Sequence, residues 1–246
     1  MNSASSQPFY GYFKAQLELA TRICQISDLT FVEALARYTN LHRRFGWGVP
    51  TEPPKPAWQA YVETVTQAGT LEDMANATHA QYLRVESRDP QPLFGCFTYQ
   101  SPDDEGIARI HFHVADTDDD TSPIAAHKAE RRRQDLAALV NHLTAHHPDA
   151  KVLQGTSWLY NTRSYRALFP PAYIATATAL EGRQRFNGTS SWGQLVDFRG
   201  AVKPAAYRQF SQNLKHLEHA TDVWRVFPLC AQRVSVPVDV FVDFFG

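Results

Sequence analysis

The 246-residue sequence predicts an α+β fold, with a helical N-terminal layer and a largely antiparallel or mixed central sheet flanked by helices. Three observations predict it. Apolar residues recur at a 3.6-residue period through the first third of the chain, the spacing of helices that bury one face. After Arg88-Asp89-Pro90 the pattern changes to short segments bounded by turn residues, which read as strands. A long helical stretch then separates those strands from further ones.

The elements follow in order. From Phe9 to Cys24 the residues Phe9, Phe13, Leu17, Ala20 and Cys24 share one helical face. Thr30-Phe-Val-Glu33 is a capping box that opens a second helix. Its stripe of Ala34, Tyr38, Leu41 and Phe45 runs to Gly46, a C-cap. Pro50, Pro53 and Pro54 stiffen a loop, and Pro56 opens a helix carrying Trp58, Tyr61, Val62 and Val65. Thr70 to Asp73 caps another helix, reaching about Val85. Leu93 to Gln100 and Ile107 to Val114 are strands joined by the turn Ser101–Gly106. Ser122-Pro123 opens a long helix that ends near His147-Pro148. Lys151 to Trp158 reads as a strand, and Thr162 to Phe169 as a short helix stopped by Pro170-Pro171. Tyr173 to Leu180 and Ser191 to Phe198 read as strands. A helix starts at Pro204, and Trp224 to Val236 is extended. Beyond Pro237 the alternation of Val238, Val240, Val242 and Phe244 suits a strand, while Pro237 and Gly246 punctuate like helix ends.

Composition narrows the function classes. Apolar residues make up 43% of the chain and charged residues 20%, as in ordinary globular proteins. A chain of this length buries about 70–75% of its unfolded surface, so its core needs no staples. The net charge is −1, without the basic excess by which proteins neutralise nucleic-acid phosphates. No nucleic-acid partner is expected. The runs His42-Arg43-Arg44 and Arg131-Arg132-Arg133 read as a cationic helix C-terminus and a solvated helix surface. Cys24, Cys96 and Cys230 lack metal or redox spacing, so they are expected to be reduced and the compartment cytoplasmic. Met1 to Pro8 lacks the basic and apolar regions of a signal peptide, and no apolar run approaches the roughly 18 residues of a membrane span. No obvious flexible linker interrupts the chain. One domain over 1–246 is expected, with 1–88 mainly helical and 89–246 bearing the sheet.

The chemistry-bearing residues concentrate near the second strand. Side chains alternate along a strand, so Ala108, Ile110, Phe112 and Val114 share one face and Ile107, Arg109, His111 and His113 the other. Two histidines at i and i+2 point the same way, which suits proton transfer. A metal would require a third ligand from Asp116, Asp118 or His127, and no metal site is assigned. Asp116-Thr-Asp-Asp-Asp120 opens like an EF-hand loop, but Thr121 and His127 stand where its glycine and glutamate belong. Gly155-Thr-Ser157-Trp-Leu159 starts like a nucleophile elbow, but Leu159 would crowd its second glycine position. Dinucleotide and P-loop glycine motifs are missing.

From Leu93 to Phe169 the order hairpin, long helix, strand, short helix resembles the second half of the GNAT acyltransferase superfamily. Asn161-Thr-Arg-Ser164 resembles that family's Asn-x-x-Ala/Ser opening of the next helix. The resemblance covers about a third of the chain. It implies an acyltransferase-type enzyme acting on a small molecule or amine, with an acyl-CoA donor whose pantetheine arm lies beside splayed strands. His111 and His113 are then the catalytic candidates, with Arg109, Trp158, Tyr160, Asn161 and Trp192 as candidate substrate contacts. One family motif is absent. Where GNAT enzymes carry Arg/Gln-x-x-Gly-x-Gly/Ala to hold the CoA pyrophosphate at a helix N-terminus, this chain has Ala115-Asp-Thr-Asp-Asp-Asp120. Carboxylates repel a pyrophosphate. The alternative is a non-enzymatic binding or regulatory protein on the same scaffold.

Overall fold

The computed structural model describes residues 7–48, 53–85, 94–115, 119–181, 186 and 190–246. Along the chain run α1 (Tyr10–Ile26), α2 (Phe31–Tyr38), α3 (Leu41–Arg44), α4 (Pro56–Thr66) and α5 (Leu71–Leu83). Next come β1 (Phe97–Gln100), β2 (Ile107–Phe112), α6 (Ala129–His146), β3 (Val152–Ser157), α7 (Arg163–Arg166), α8 (Pro171–Ala175) and β4 (Thr178–Ala179). The chain closes with α9 (Pro204–Lys215), β5 (Gln232–Pro237) and α10 (Asp239–Phe245). The fold is α+β, with one mixed open sheet of order β1-β2-β3-β5-β4. Among the described residues no helix is long and apolar enough to cross a membrane.

The chain divides into two compact units. Residues 1–88 with 181–230 form one, and 89–180 with 231–246 form the other. In the helical unit, α1 buries Tyr12, Phe13, Leu17, Leu19, Ala20 and Ile23 and packs on α2, α5 and α9. The capping box forms: Thr30 Oγ1 accepts from Glu33 N at 3.3 Å, and Glu33 Oε2 accepts from Thr30 N at 2.8 Å. Such a cap contributes about 1 kcal/mol. The stripe from Ala34 to Phe45 does not run through one helix. Thr39 is extended, and Asn40 N donates to Gln16 Oε1 at 2.8 Å instead of to a helical carbonyl. The chain restarts as α3 and stops at Gly46, whose φ of 85° is the left-handed geometry of a C-cap. Pro56 opens α4, and Thr70 caps α5 by accepting from Asp73 N at 3.1 Å.

Residues 181–230 lie with the helices rather than with the sheet. Ser191 to Phe198 is no strand. Trp192, Leu195 and Val196 are its buried apolar residues, at i, i+3 and i+4, a helical spacing rather than an alternating one. The segment makes a 3₁₀ turn over Trp192–Gln194, and only Val196 bridges, to Val202. Asp197 Oδ1 turns the chain by accepting from Arg199 N and Ala201 N at 2.8 and 3.0 Å.

In the sheet-bearing unit β1 and β2 form the expected hairpin. Its turn is held by Asp103 Oδ1, which accepts from Glu105 N and Ile107 N at 3.1 and 3.0 Å. β2 crosses through α6 to β3 in parallel register, and β5 pairs antiparallel with both β3 and β4. Leu136, Leu139, Val140 and Leu143 of α6 join Ala108, Ile110 and Leu153 in this unit's core. Each fully buried leucine contributes about 2 kcal/mol.

Four expectations change here. The long helix begins at Ala129, not Ser122, because Ala125 is extended and Ala126–Lys128 forms a 3₁₀ turn. Arg132 is fully buried instead of solvated. Pro170-Pro171 stops one helix and starts another, so Tyr173 lies in α8 and only Thr178–Ala179 is strand. The extended tail is a 3₁₀ helix over Ala220–Val226 followed by β5, and α10 settles the last segment as a helix. Leu93 and Arg88-Asp89-Pro90, with Pro50, Asp116 and Asp118, lie outside the described residues.

Candidate functional site

β2 and β3 are the parallel neighbours of the sheet, and they do not stay together. Their ladder runs from Ile107↔Val152 to Ile110↔Gly155 and ends there. β2 continues to Phe112, paired with Phe97 of β1. β3 continues to Ser157, paired with Gln232 of β5. The two strand ends part. Backbone groups that leave a ladder need other partners.

Three phenols occupy the core side of the parting. Tyr160 sits on the 3₁₀ turn Trp158–Asn161, which Ser157 Oγ caps by accepting from Leu159 N at 3.1 Å. Its hydroxyl and that of Tyr173 lie 3.0 Å apart, over Gly155, where any Cβ would collide with both. The ring of Tyr165 of α7 packs on that of Tyr160 with centroids 5.2 Å apart and meets Phe112 edge-on at 5.5 Å. The cluster thus reaches from one parted strand to the other. Burial pushes all three phenol pKa values up, so the hydroxyls stay protonated.

The period-two reading of β2 holds within the strand. Ala108 and Ile110 are buried and His111 is exposed. Phe112 is half-buried, and Val114, expected to face the core, lies past the strand end and is 50% exposed. Arg109 is committed to the hairpin turn: its Nη2 binds Asp103 Oδ2 at 2.7 Å. That contact lowers the Asp103 carboxyl pKa, after the larger effect of the Ile107 backbone N–H. His113 follows the strand, and its N donates to Cys96 O at 2.8 Å. Desolvation holds its imidazole pKa below 6.5, so the ring is neutral at pH 7. Among the described residues no three His, Cys, Asp or Glu side chains could hold a metal together. His127, one candidate third ligand, faces Asp119 at 3.3 Å.

Trp158 is half-buried. Asn161 is exposed, with Nδ2 donating to Trp158 O at 2.8 Å and Oδ1 accepting from Gln232 Nε2 at 3.1 Å. It closes the turn after β3 and ties it to β5. Arg109, His111, His113, Trp158, Tyr160 and Asn161 therefore belong to one unit. Trp192 does not: it is fully buried in the helical unit's core, where its Nε1 donates to Phe186 O at 3.1 Å.

The entry to α6 carries its own anion. Asp119 Oδ1 meets Lys128 Nζ at 2.6 Å and accepts from Thr121 Oγ1 at 2.5 Å. Lys128 first, then Thr121 and His127, hold the Asp119 carboxyl well below the usual carboxylate range. One turn into the helix, buried Arg132 reaches Cys96 Sγ and pairs with Asp135 at 3.0 Å. Gly95, at φ 56°, leaves room for the Asp135 carboxylate. Sequence reasoning missed Gly155, Tyr165, Tyr173, Arg132 and Asp135. The aromatic spacing Tyr160, Tyr165, Phe169, Tyr173 was a visible signal, whereas an arginine run gives no sign of which member is buried. No protein-family model, curated protein or solved structure matches the chain.

Proposed function

We propose that the sheet-bearing unit is a GNAT-like acyltransferase-type enzyme acting on a small molecule or amine. The arm of its thioester donor lies along the parting of β2 and β3. The observation that carries this reading is the end of the parallel ladder at Ile110↔Gly155, between strands that both continue. An arm bearing amides can add to such strand ends as an extra strand would. His113, neutral at pH 7, accepts the proton that an attacking amine loses as its nitrogen bonds to the acyl carbon and the C–S bond breaks. The same proton then goes to the departing thiolate. Because Asp119 already occupies Lys128, the donor is recognised by its arm rather than by a pyrophosphate.

A second reading, a non-enzymatic binding or regulatory protein, is favoured by the filling of the core side of the parting with buried phenols. Calorimetric titration of the full chain with acetyl-CoA and with S-acetyl-pantetheine, plus thiol release with a panel of amines, separates the two. The enzyme reading expects S-acetyl-pantetheine to bind and acetyl-CoA to bind no tighter. It also expects His113→Ala to slow thiol release about a hundred-fold. If neither thioester binds and no thiol is released, the binding-protein reading stands.

A further inference from the structure

The last turns of α6 carry a second constellation, which the proposed acyl transfer does not use. His142 and His146 stand four residues apart, so they lie on the same side of the helix. Their rings stack with centroids 4.0 Å apart and planes 16° from parallel. Each Nδ1 is engaged. His146 Nδ1 lies 2.9 Å from His142 O, and since a carbonyl only accepts, that nitrogen carries the proton and Nε2 keeps its lone pair. His142 Nδ1 lies 2.9 Å from the Tyr99 hydroxyl of β1. A phenol can donate to an Nδ1 lone pair or accept from an Nδ1–H; in the tautomer whose Nδ1–H donates to Tyr99, the one a metal ion would select, His142 Nε2 keeps its lone pair as well. Among the described residues neither Nε2 has a hydrogen-bond partner.

We propose that His142 and His146 form a bidentate, solvent-open site for a borderline divalent transition metal ion such as Zn²⁺, Ni²⁺ or Cu²⁺. Two metal–nitrogen bonds of about 2.0–2.1 Å hold their nitrogens within about 4 Å of each other, and rings four residues apart on one helix, with centroids 4.0 Å apart, are close enough to be brought to that spacing. Turning the stacked rings toward one ion takes rotation about χ2, a broad torsion for histidine, over a range that the two Nδ1 contacts limit. Imidazole selects these ions over Mg²⁺ and Ca²⁺, which favour oxygen ligands. Hydrogen bonds between the far ring nitrogens and a backbone carbonyl or a phenol are the outer contacts that orient metal-binding histidines. His147 is not a third ligand, since its ring stands edge-on to Tyr99 at 5.7 Å. With no third His, Cys, Asp or Glu among the described residues, water fills the remaining positions. The bound ion ties the end of α6 to β1 through Tyr99.

The test titrates tag-free full chain with NiCl₂, ZnCl₂, CuCl₂ and MgCl₂ by calorimetry, with electron paramagnetic resonance on the Cu²⁺ form. The site predicts one Ni²⁺ per chain, no heat with Mg²⁺, and two nitrogen couplings in the Cu²⁺ spectrum. His146→Ala and His142→Ala should each abolish it while far-ultraviolet circular dichroism stays unchanged, because both lie on the helix surface. Tyr99→Phe, which keeps both ligands, should weaken Ni²⁺ binding about ten-fold. Failure of Ni²⁺ to bind at millimolar concentration would overturn the proposal. So would Ni²⁺ binding that survives in both alanine variants. Neither result bears on thioester binding at the strand parting.

Discussion

His42 shows how one side chain departs from its sequence context. Beside Arg43 and Arg44 at a helix end, it reads as a third cation for the macrodipole. In the fold it is 4% exposed and stacks on Trp58 with centroids 3.6 Å apart. Burial, and then the charge of Lys55, lower its pKa to about 4. Folded His42 is thus neutral where the unfolded chain, near 6.5, would take a proton. The unfolded state binds more protons between those values, so stability falls as pH drops below 6.5 and the loss is complete near 4. Between pH 7 and pH 5 this group alone should cost about 2 kcal/mol. Urea denaturation at the two pH values measures it, and His42→Gln should flatten the difference. An unchanged slope in the variant would assign the pH dependence to other groups. Arg132 makes the same point from the other side: an arginine run reads as solvated, yet its middle member is fully buried against Cys96 and Asp135.

Among the elements, those specified by nearby residues were legible. The capping box at Thr30, Pro56 at the start of α4, and the hairpin of β1 and β2 all stand where the residue pattern put them. Elements that depend on distant partners were not. The residues of Ser191 to Phe198, read as a strand, could not reveal that Trp192, Leu195 and Val196 all meet one core. Gly155 is the sharpest case at this scale. In the sequence it suggested a nucleophile elbow; in the fold it is the place in β3 where two phenol hydroxyls come to rest. Gly155→Ala should therefore cost about 1–3 kcal/mol by overpacking. Adding Tyr173→Phe to it should recover part of that loss by removing one of the colliding hydroxyls. Chemical denaturation of the single and double variants reads both effects, and a double variant less stable than the sum of the singles would refute the collision.

For the whole molecule, the three cysteines give a direct check. Cys24 is exposed, Cys230 half-buried and Cys96 fully buried, and none of the three is in a disulfide. Thiol titration should find Cys24 reacting fast in the native protein and three sulfhydryls after denaturation. A fast-reacting Cys96 would contradict its burial between β1 and α6. The sequence by itself determined the α+β class, the caps and breaks of most helices, the hairpin, and the alternation that separates Arg109 and His111 from Ala108 and Ile110. These depend on interactions within a few residues, where periodicity and turn chemistry act. Only the tertiary structure decided that 181–230 joins the N-terminal helices, that β2 and β3 part after Ile110 and Gly155, and that Trp192 lies in the unit that does not hold His111 and His113. Burial and strand pairing depend on residues tens to hundreds of positions away, and no local pattern records which of them arrive.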